Sequence, residues 1–153
     1  MQDIEPGLIA ETNSWKVYAE YVLHGDFAHV PDFDWRCLGY RIEAEGVVVT
    51  ISGDTVYSDG ILGLAKDADL LVQCCHMPKS RVNNPVMGYL TTSILPSSGQ
   101  VGAIAAQAGA KRMVLTHLSE SISTDNEQEI FSDIRADYQG DVLLGYDLMT
   151  IEV

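Results

Sequence analysis

Basic residues are scarce in this chain. Nine Lys and Arg stand against 22 Asp and Glu, a formal net charge of −13. Proteins that bind nucleic acid gain affinity by neutralising phosphates with Lys and Arg. Here the few bases are scattered, with Lys79 and Arg81 forming one small cluster and Lys111 and Arg112 another. No nucleic-acid partner is expected, and such acidity would also repel an anionic membrane. Long apolar runs are lacking too: none approaches the roughly 18 residues of a membrane-spanning helix. The first residues lack the basic start and apolar middle of a secretion signal, so a cytoplasmic protein is expected. Cysteine is sparse. Cys37, Cys74 and Cys75 form no CxxC pair and no even-numbered framework, as fits buried thiols in a reducing compartment.

What is present suffices for a core: 46% of the residues are hydrophobic. Neither a repeat nor a linker interrupts residues 1–153, which read as one domain. Trp15, Val17, Ala19, Tyr21 and Leu23 alternate along one face of an expected strand that ends at His24-Gly25. A loop rich in acids and aromatics covers 26–36. Residues 38–44 and 47–52 predict a hairpin turned by Glu45-Gly46. A short helix begins near Ser58 or Asp59, and the apolar run 68–75 suits a central strand covered on both faces. Asn83, Asn84, Pro85, Gly88 and Pro96 mark 77–96 as a long loop. Ser97-Ser98 opens a helix that carries Val101, Ile104, Ala105 and Ala108, with Gly109 as its C-terminal stop. A strand over 112–116 ends at His117. Thr124-Asp125-Asn126-Glu127 matches a capping box for a last helix, and 141–153 is strand-like. This order predicts an α/β (α+β) fold, a mixed β-sheet with helices on one face.

His24, Asp54 and His117 each fall just past a predicted strand, where layered α/β folds gather their sites. Imidazole and carboxylate are donors that a divalent ion such as zinc accepts. Taken singly, each histidine also reads as a polar loop residue, and Asp54 as the start of a turn.

Several segments in order resemble one family. Ser52-Gly53-Asp54-Thr55 after a Val-rich strand is similar to the "SGDT" element of ribonuclease Z-like proteins of the metallo-β-lactamase fold. Ala68-Asp69-Leu70-Leu71-Val72 is similar to their "ADLLV" run. Ile104-Ala105-Ala106-Gln107-Ala108-Gly109 with Val114-Leu115-Thr116-His117 resembles their "IAxxAG…LVLTH" element. Val22-Leu23-His24 and Gly39-Tyr40-Arg41-Ile42 match the "VxH…GYRI" segment. The resemblance spans about residues 7–149. It implies the C-terminal half of a four-layer αββα sandwich and a site for two divalent metal ions, usually zinc. In that reading His24 serves the first ion, Asp54 bridges both and carries the catalytic role, and His117 serves the second. The implied activity is metal-dependent hydrolysis of a phosphodiester, ester or lactone.

Three departures qualify it. The HxHxDH element, source of most remaining ligands, has no counterpart, since no two histidines stand at i, i+2. Two protein ligands per ion fall short of the usual three, and only His29 and His76 remain as auxiliary candidates. The family's further histidine before the "IAxxAG" helix is missing as well: Ser93 to Ser98 occupies that stretch. Nor is there a basic arm to grip tRNA. The sequence therefore points to a small-molecule substrate. It also points to a segment incomplete without its N-terminal half, with which it would pair unless it forms a homodimer through an uncovered apolar sheet face. The alternatives are a non-catalytic, self-associating remnant that binds metal weakly or not at all, and an enzyme sharing ligands across a dimer.

Overall fold

The structure is a computed structural model that describes residues 4–25, 35–120, 122 and 126–153. Among them, seven strands form one sheet in sequential order: β1 (Gly7–Glu11), β2 (Trp15–Val22), β3 (Cys37–Ala44), β4 (Val47–Ile51), β5 (Leu70–Cys74), β6 (Arg112–Thr116) and β7 (Asp141–Leu144). The first four pair antiparallel, and β4 to β7 run parallel. The change of sense follows from the connections. Glu45 and Gly46, at φ 52° and 83°, make the tight turn that joins β3 to β4. Beyond β4 each link carries a helix, as a parallel crossover requires.

The helices are α1 (Asp59–Leu64), α2 (Pro85–Ser93), α3 (Ser98–Ala108) and α4 (Glu127–Arg135). The core lies between one sheet face and α1, α3 and α4. Leu71, Cys75, Met113 and Leu115 from the sheet meet Ile61, Val101, Ile104, Ile130 and Ile134 from the helices. Two glycines allow the close approaches. A Cβ at Gly60 would sit 1.9 Å from the Tyr21 carbonyl oxygen, and one at Gly102 would sit 2.7 Å from that of Ile134.

The opposite face is less covered. The strand pairing places Val17, Ile42, Val49 and Leu70 in one row across it, with Tyr40, Ile51, Val72 and Val114 in the next. Residues 146–153 cross part of this face, and the Arg112 guanidinium donates to the Glu152 carbonyl at 2.7 Å. Val114 is buried, whereas Ile51 and Trp15 remain about 40% exposed.

The structure corrects two readings. Of the stretch 141–153, expected to be strand-like, only Asp141–Leu144 forms a strand. Residues 77–96 are not simply a loop: a 3-10 turn (Lys79–Arg81) precedes α2. Asn84 and Pro85 start that helix rather than break the chain. The Asn84 side chain accepts from the N–H groups of Val86 and Met87, and Pro85 occupies the first turn, where no N–H is needed. The capping box at residues 124–127 begins on residues outside those described. No helix among the described residues is long and apolar enough to cross a membrane.

Candidate functional site

The Asp54 loop leaves the end of β4 and is tied to its neighbours at almost every residue. The Ser52 N–H donates to the Val72 carbonyl at 2.9 Å, and its Oγ accepts from the Cys74 N–H at 3.0 Å. Gly53 is left-handed at φ 61°, and any Cβ there would lie 2.6 Å from the Leu38 carbonyl oxygen. Thr55 is buried: its N–H points at Cys74 Sγ at 3.2 Å, and its hydroxyl oxygen accepts from the Leu23 N–H. Asp54 is thus the one side chain of Ser-Gly-Asp-Thr left to face the rim. The strand ladder has committed the rest.

His117 follows β6 with φ at 55°, an uncommon, strained conformation for a residue with a Cβ. Its Nε2 lies 3.4 Å from Asp54 Oδ2, and both side chains are about 40% exposed. That spacing is long for a charge-assisted hydrogen bond, which closes to about 2.7–2.9 Å. It is close to the separation of about 3.3 Å that two donors keep when each lies about 2.05 Å from one tetrahedral ion. Imidazole and carboxylate are also donor types that a divalent cation accepts.

His24 stands on the loop after β2. The Val56 N–H donates to the Leu23 carbonyl at 2.9 Å, which stitches this loop to the Asp54 loop. His24 Nδ1 lies 2.7 Å from the Ile94 carbonyl oxygen. A carbonyl only accepts, so Nδ1 carries a proton, and in a neutral ring Nε2 is then the nitrogen with the lone pair that a metal would take. Trp35 fixes the backbone here by donating its indole N–H to the His24 carbonyl at 2.5 Å. Among the described interactions, His24 has no hydrogen bond or ion pair to Asp54 or His117.

His76 follows β5, between the strands that lead to Asp54 and His117. Its ring centroid is 5.7 Å from that of His117. Its Nδ1 is shut from solvent without a hydrogen-bond partner. Burial chiefly, and then nearby His117, hold its pKa below the usual histidine value, against the opposing pull of Asp54. The ring is therefore mainly neutral near pH 7, as a metal ligand must be. His29 lies outside the described residues. Among those described, no group of three His, Cys, Asp or Glu side chains is already gathered closely enough to hold a metal ion. The structure joins Asp54 with His117, adds His76 beside them, and leaves His24 on the neighbouring loop. Strand alternation signals the placing of His76: Leu71, Gln73 and Cys75 fill the core side, so His76 turns away from it.

A cavity of about 500 Å³ opens next to His117 on the less covered face, lined by Val72, Val114, Tyr146, Met149 and Ile151 among others. Two buried thiols lie behind the rim, and burial raises Cys74 to about 11 and Cys75 to about 12.

No protein-family model matches the chain. Single proteins do. Ribonuclease Z from Thermobifida fusca is 33% identical over 115 residues, which is 74% of this chain and 34% of that protein. Ribonuclease Z from Myxococcus xanthus is 33% identical over 105 residues, 69% of this chain and 32% of that protein. The chain belongs to the ribonuclease Z-like branch of the metallo-β-lactamase-fold superfamily. It spans about a third of the length of these curated relatives. Among solved structures, the metallo-β-lactamase fold protein YhfI from Bacillus subtilis superposes with a TM-score of 0.69 at 21% identity, over 93% of this chain and 51% of that one. Human tRNase Z, short form, gives 0.64 at 22% identity, over 95% and 44%. Zinc-bound PqqB from Methylobacterium extorquens gives 0.64 at 12% identity, over 97% and 54%. These show the fold, a mixed sheet with helices as the sequence predicts, and the superfamily is one of metal-dependent hydrolases.

The relatives overturn one expectation, that of a small-molecule substrate and no nucleic acid. Ribonuclease Z proteins act on RNA, and one structural neighbour is a tRNase. Net charge describes the surface of these 153 residues alone. A phosphate grip can lie anywhere in proteins three times as long.

Proposed function

We propose that this chain supplies the second half of a metal-dependent phosphodiesterase site that acts on RNA. The observation that carries the reading is the 3.4 Å approach of His117 Nε2 to Asp54 Oδ2, the spacing of two donors waiting for one ion. Asp54, His117 and His24 would hold two divalent ions, with zinc favoured by the imidazole and carboxylate donors. When bound, such ions lower the pKa of water and polarise the phosphoryl oxygen. The chain's own contribution is positional. Ser52, Gly53 and Thr55 fix the Asp54 backbone, the Ile94 carbonyl sets the His24 tautomer, and the β6 ladder aims His117. The further ligands that HxHxDH provides in the family would come from outside these 153 residues.

Calorimetric titration with zinc tests this, run on the parent chain and on Asp54→Ala and His117→Ala, beside cleavage of a fluorescent RNA with zinc or with a chelator. Zinc binding that both substitutions remove supports the reading. No zinc uptake, or uptake that neither substitution changes, overturns it. The second reading is a non-catalytic half-domain with weak or no metal binding. It draws on the lack of any gathered three-ligand group among the described residues, and the same titration decides it.

A further inference from the structure

We infer that His76 is a third protein ligand of the ion held by Asp54 and His117, so that this chain alone completes one mononuclear zinc site. The inference rests on the proposed metal-binding role of Asp54 and His117 and goes beyond it, since two donors alone leave the ion with fewer than the three protein ligands of a catalytic zinc site.

Position comes first. β4, β5 and β6 are consecutive parallel strands, and the chain just beyond them carries Asp54, His76 and His117 in that order. His76 is therefore the middle member of the row, behind the two donors that already approach each other. Its backbone is clamped on both sides. The His76 N–H donates to the Pro96 carbonyl at 2.9 Å, and its own carbonyl accepts from the Ser119 N–H at 3.3 Å. Just before it, the Cys75 N–H donates to the Thr116 carbonyl at 2.9 Å, which locks the register of β5 against the strand leading to His117. The two histidines keep their relation without any side-chain bond between them.

Ring geometry comes next. Two imidazoles on one tetrahedral zinc hold their centroids about 5 Å apart, and the rings of His76 and His117 are 5.7 Å apart and inclined at 57°. The third point is the unsatisfied nitrogen. A buried polar atom is nearly always paired, and His76 Nδ1 is not. A cation near that ring is one partner its chemistry accepts, as a neutral imidazole binds metal through either nitrogen. The site is not closed as it stands.

The test is zinc titration of the full chain with histidine ring nitrogens labelled with ¹⁵N and followed by NMR. Four histidines give a spectrum that can be assigned through single His→Gln variants. Zinc should shift the ring nitrogens of His76 and His117 together, saturating at one equivalent. Competition against a chelator should show His76→Gln weakening zinc by more than about tenfold, as Asp54→Asn does. Because the NMR readout uses the unsubstituted protein, it does not depend on the variant's folding. If zinc binds and Asp54→Ala and His117→Ala abolish it, while the His76 nitrogens stay unmoved and His76→Gln changes affinity by less than about twofold, the third-ligand role is overturned and the two-residue reading stands. If the parent takes up no zinc, both fall.

Discussion

The core under the helices and the rim beyond β4, β5 and β6 are built by opposite rules. In the core, Ile61, Leu71, Ile104, Met113, Leu115, Ile130 and Ile134 are fully buried, drawn from both layers, and need nothing from solvent or ligand. At the rim, His117 is in a left-handed conformation, His76 keeps an unpaired buried nitrogen, and Asp54 meets His117 at a distance too long for a good hydrogen bond. A chain selected for stability alone would not gather three such costs within one row of strand ends. The difference separates the residues that hold the fold from those left strained or unpaired, and it can be attacked from either side.

The largest effect is expected in the core. Ile104→Ala should cost about 2–5 kcal/mol in urea unfolding, because it removes a fully buried side chain facing the sheet and leaves a cavity. Zinc affinity of the folded protein should be unchanged, and a parallel loss of affinity would break the separation of core from rim. The thiols give the next effect. Cys75 rises to about 12 in the folded chain through burial and the neighbouring Cys74, whereas an unfolded cysteine titrates near 8.5. A raised folded value means that the stabilisation is fully present below the unfolded pKa and is lost as pH climbs from about 9 toward 12. The expected loss is about 1.4 kcal/mol per pH unit for this thiol. Cys74, raised to about 11, adds a similar slope that ends earlier. Urea midpoints at pH 8 and 10 should show the fall, and Cys75→Ala should be clearly less sensitive. Equal sensitivity would mean that the buried thiols are not its source.

The same division explains what could be read from sequence. Core segments announce themselves, because burial imposes a period: the alternation in β2, the apolar run of β5 and the spacing of Val101, Ile104 and Ala108 in α3 all map onto observed elements. The Glu45-Gly46 turn and the Gly109 stop were legible because their left-handed backbones restrict the residue type. Helix α2 was not, since only Thr91 in it is buried and it leaves no strong periodic stripe; its starting Asn84-Pro85 pair reads equally as a loop. At the rim, Asp54 and His117 stood out through the segments around them, but their meeting depends on the order of β4, β5 and β6, which no local pattern encodes. The neighbourhood of His76 and His117 was equally hidden, since it too depends on that strand order. The substrate was misread for a related reason: charge was counted over a third of the relatives' length.

Smaller effects belong to the rim. His117→Gly removes the side chain and also the conflict between its Cβ and a left-handed backbone. In the absence of metal it should gain about 1 kcal/mol of stability, read as a rise in the urea midpoint. A stability gain joined to a loss of zinc binding would mark the strain as maintained for the sake of the imidazole. A stability loss would mean that His117 holds the fold in some other way.

The smallest change, and the sharpest for the comparison, is Asp54→Asn. With metal removed, its stability should stay within about 0.5 kcal/mol of the parent, because the Asp54–His117 pair is exposed and loosely spaced. Excess zinc should then part the two proteins. A ligand that binds only the folded state stabilises it by mass action, by about 2.7 kcal/mol at a free concentration one hundred times its Kd. The parent should gain that increment and Asp54→Asn should gain little. Zinc captured by cysteines of the unfolded chain affects both proteins alike and cancels in the difference. Equal stabilisation of the two would place the zinc elsewhere, and the rim would then be merely the least finished part of the fold.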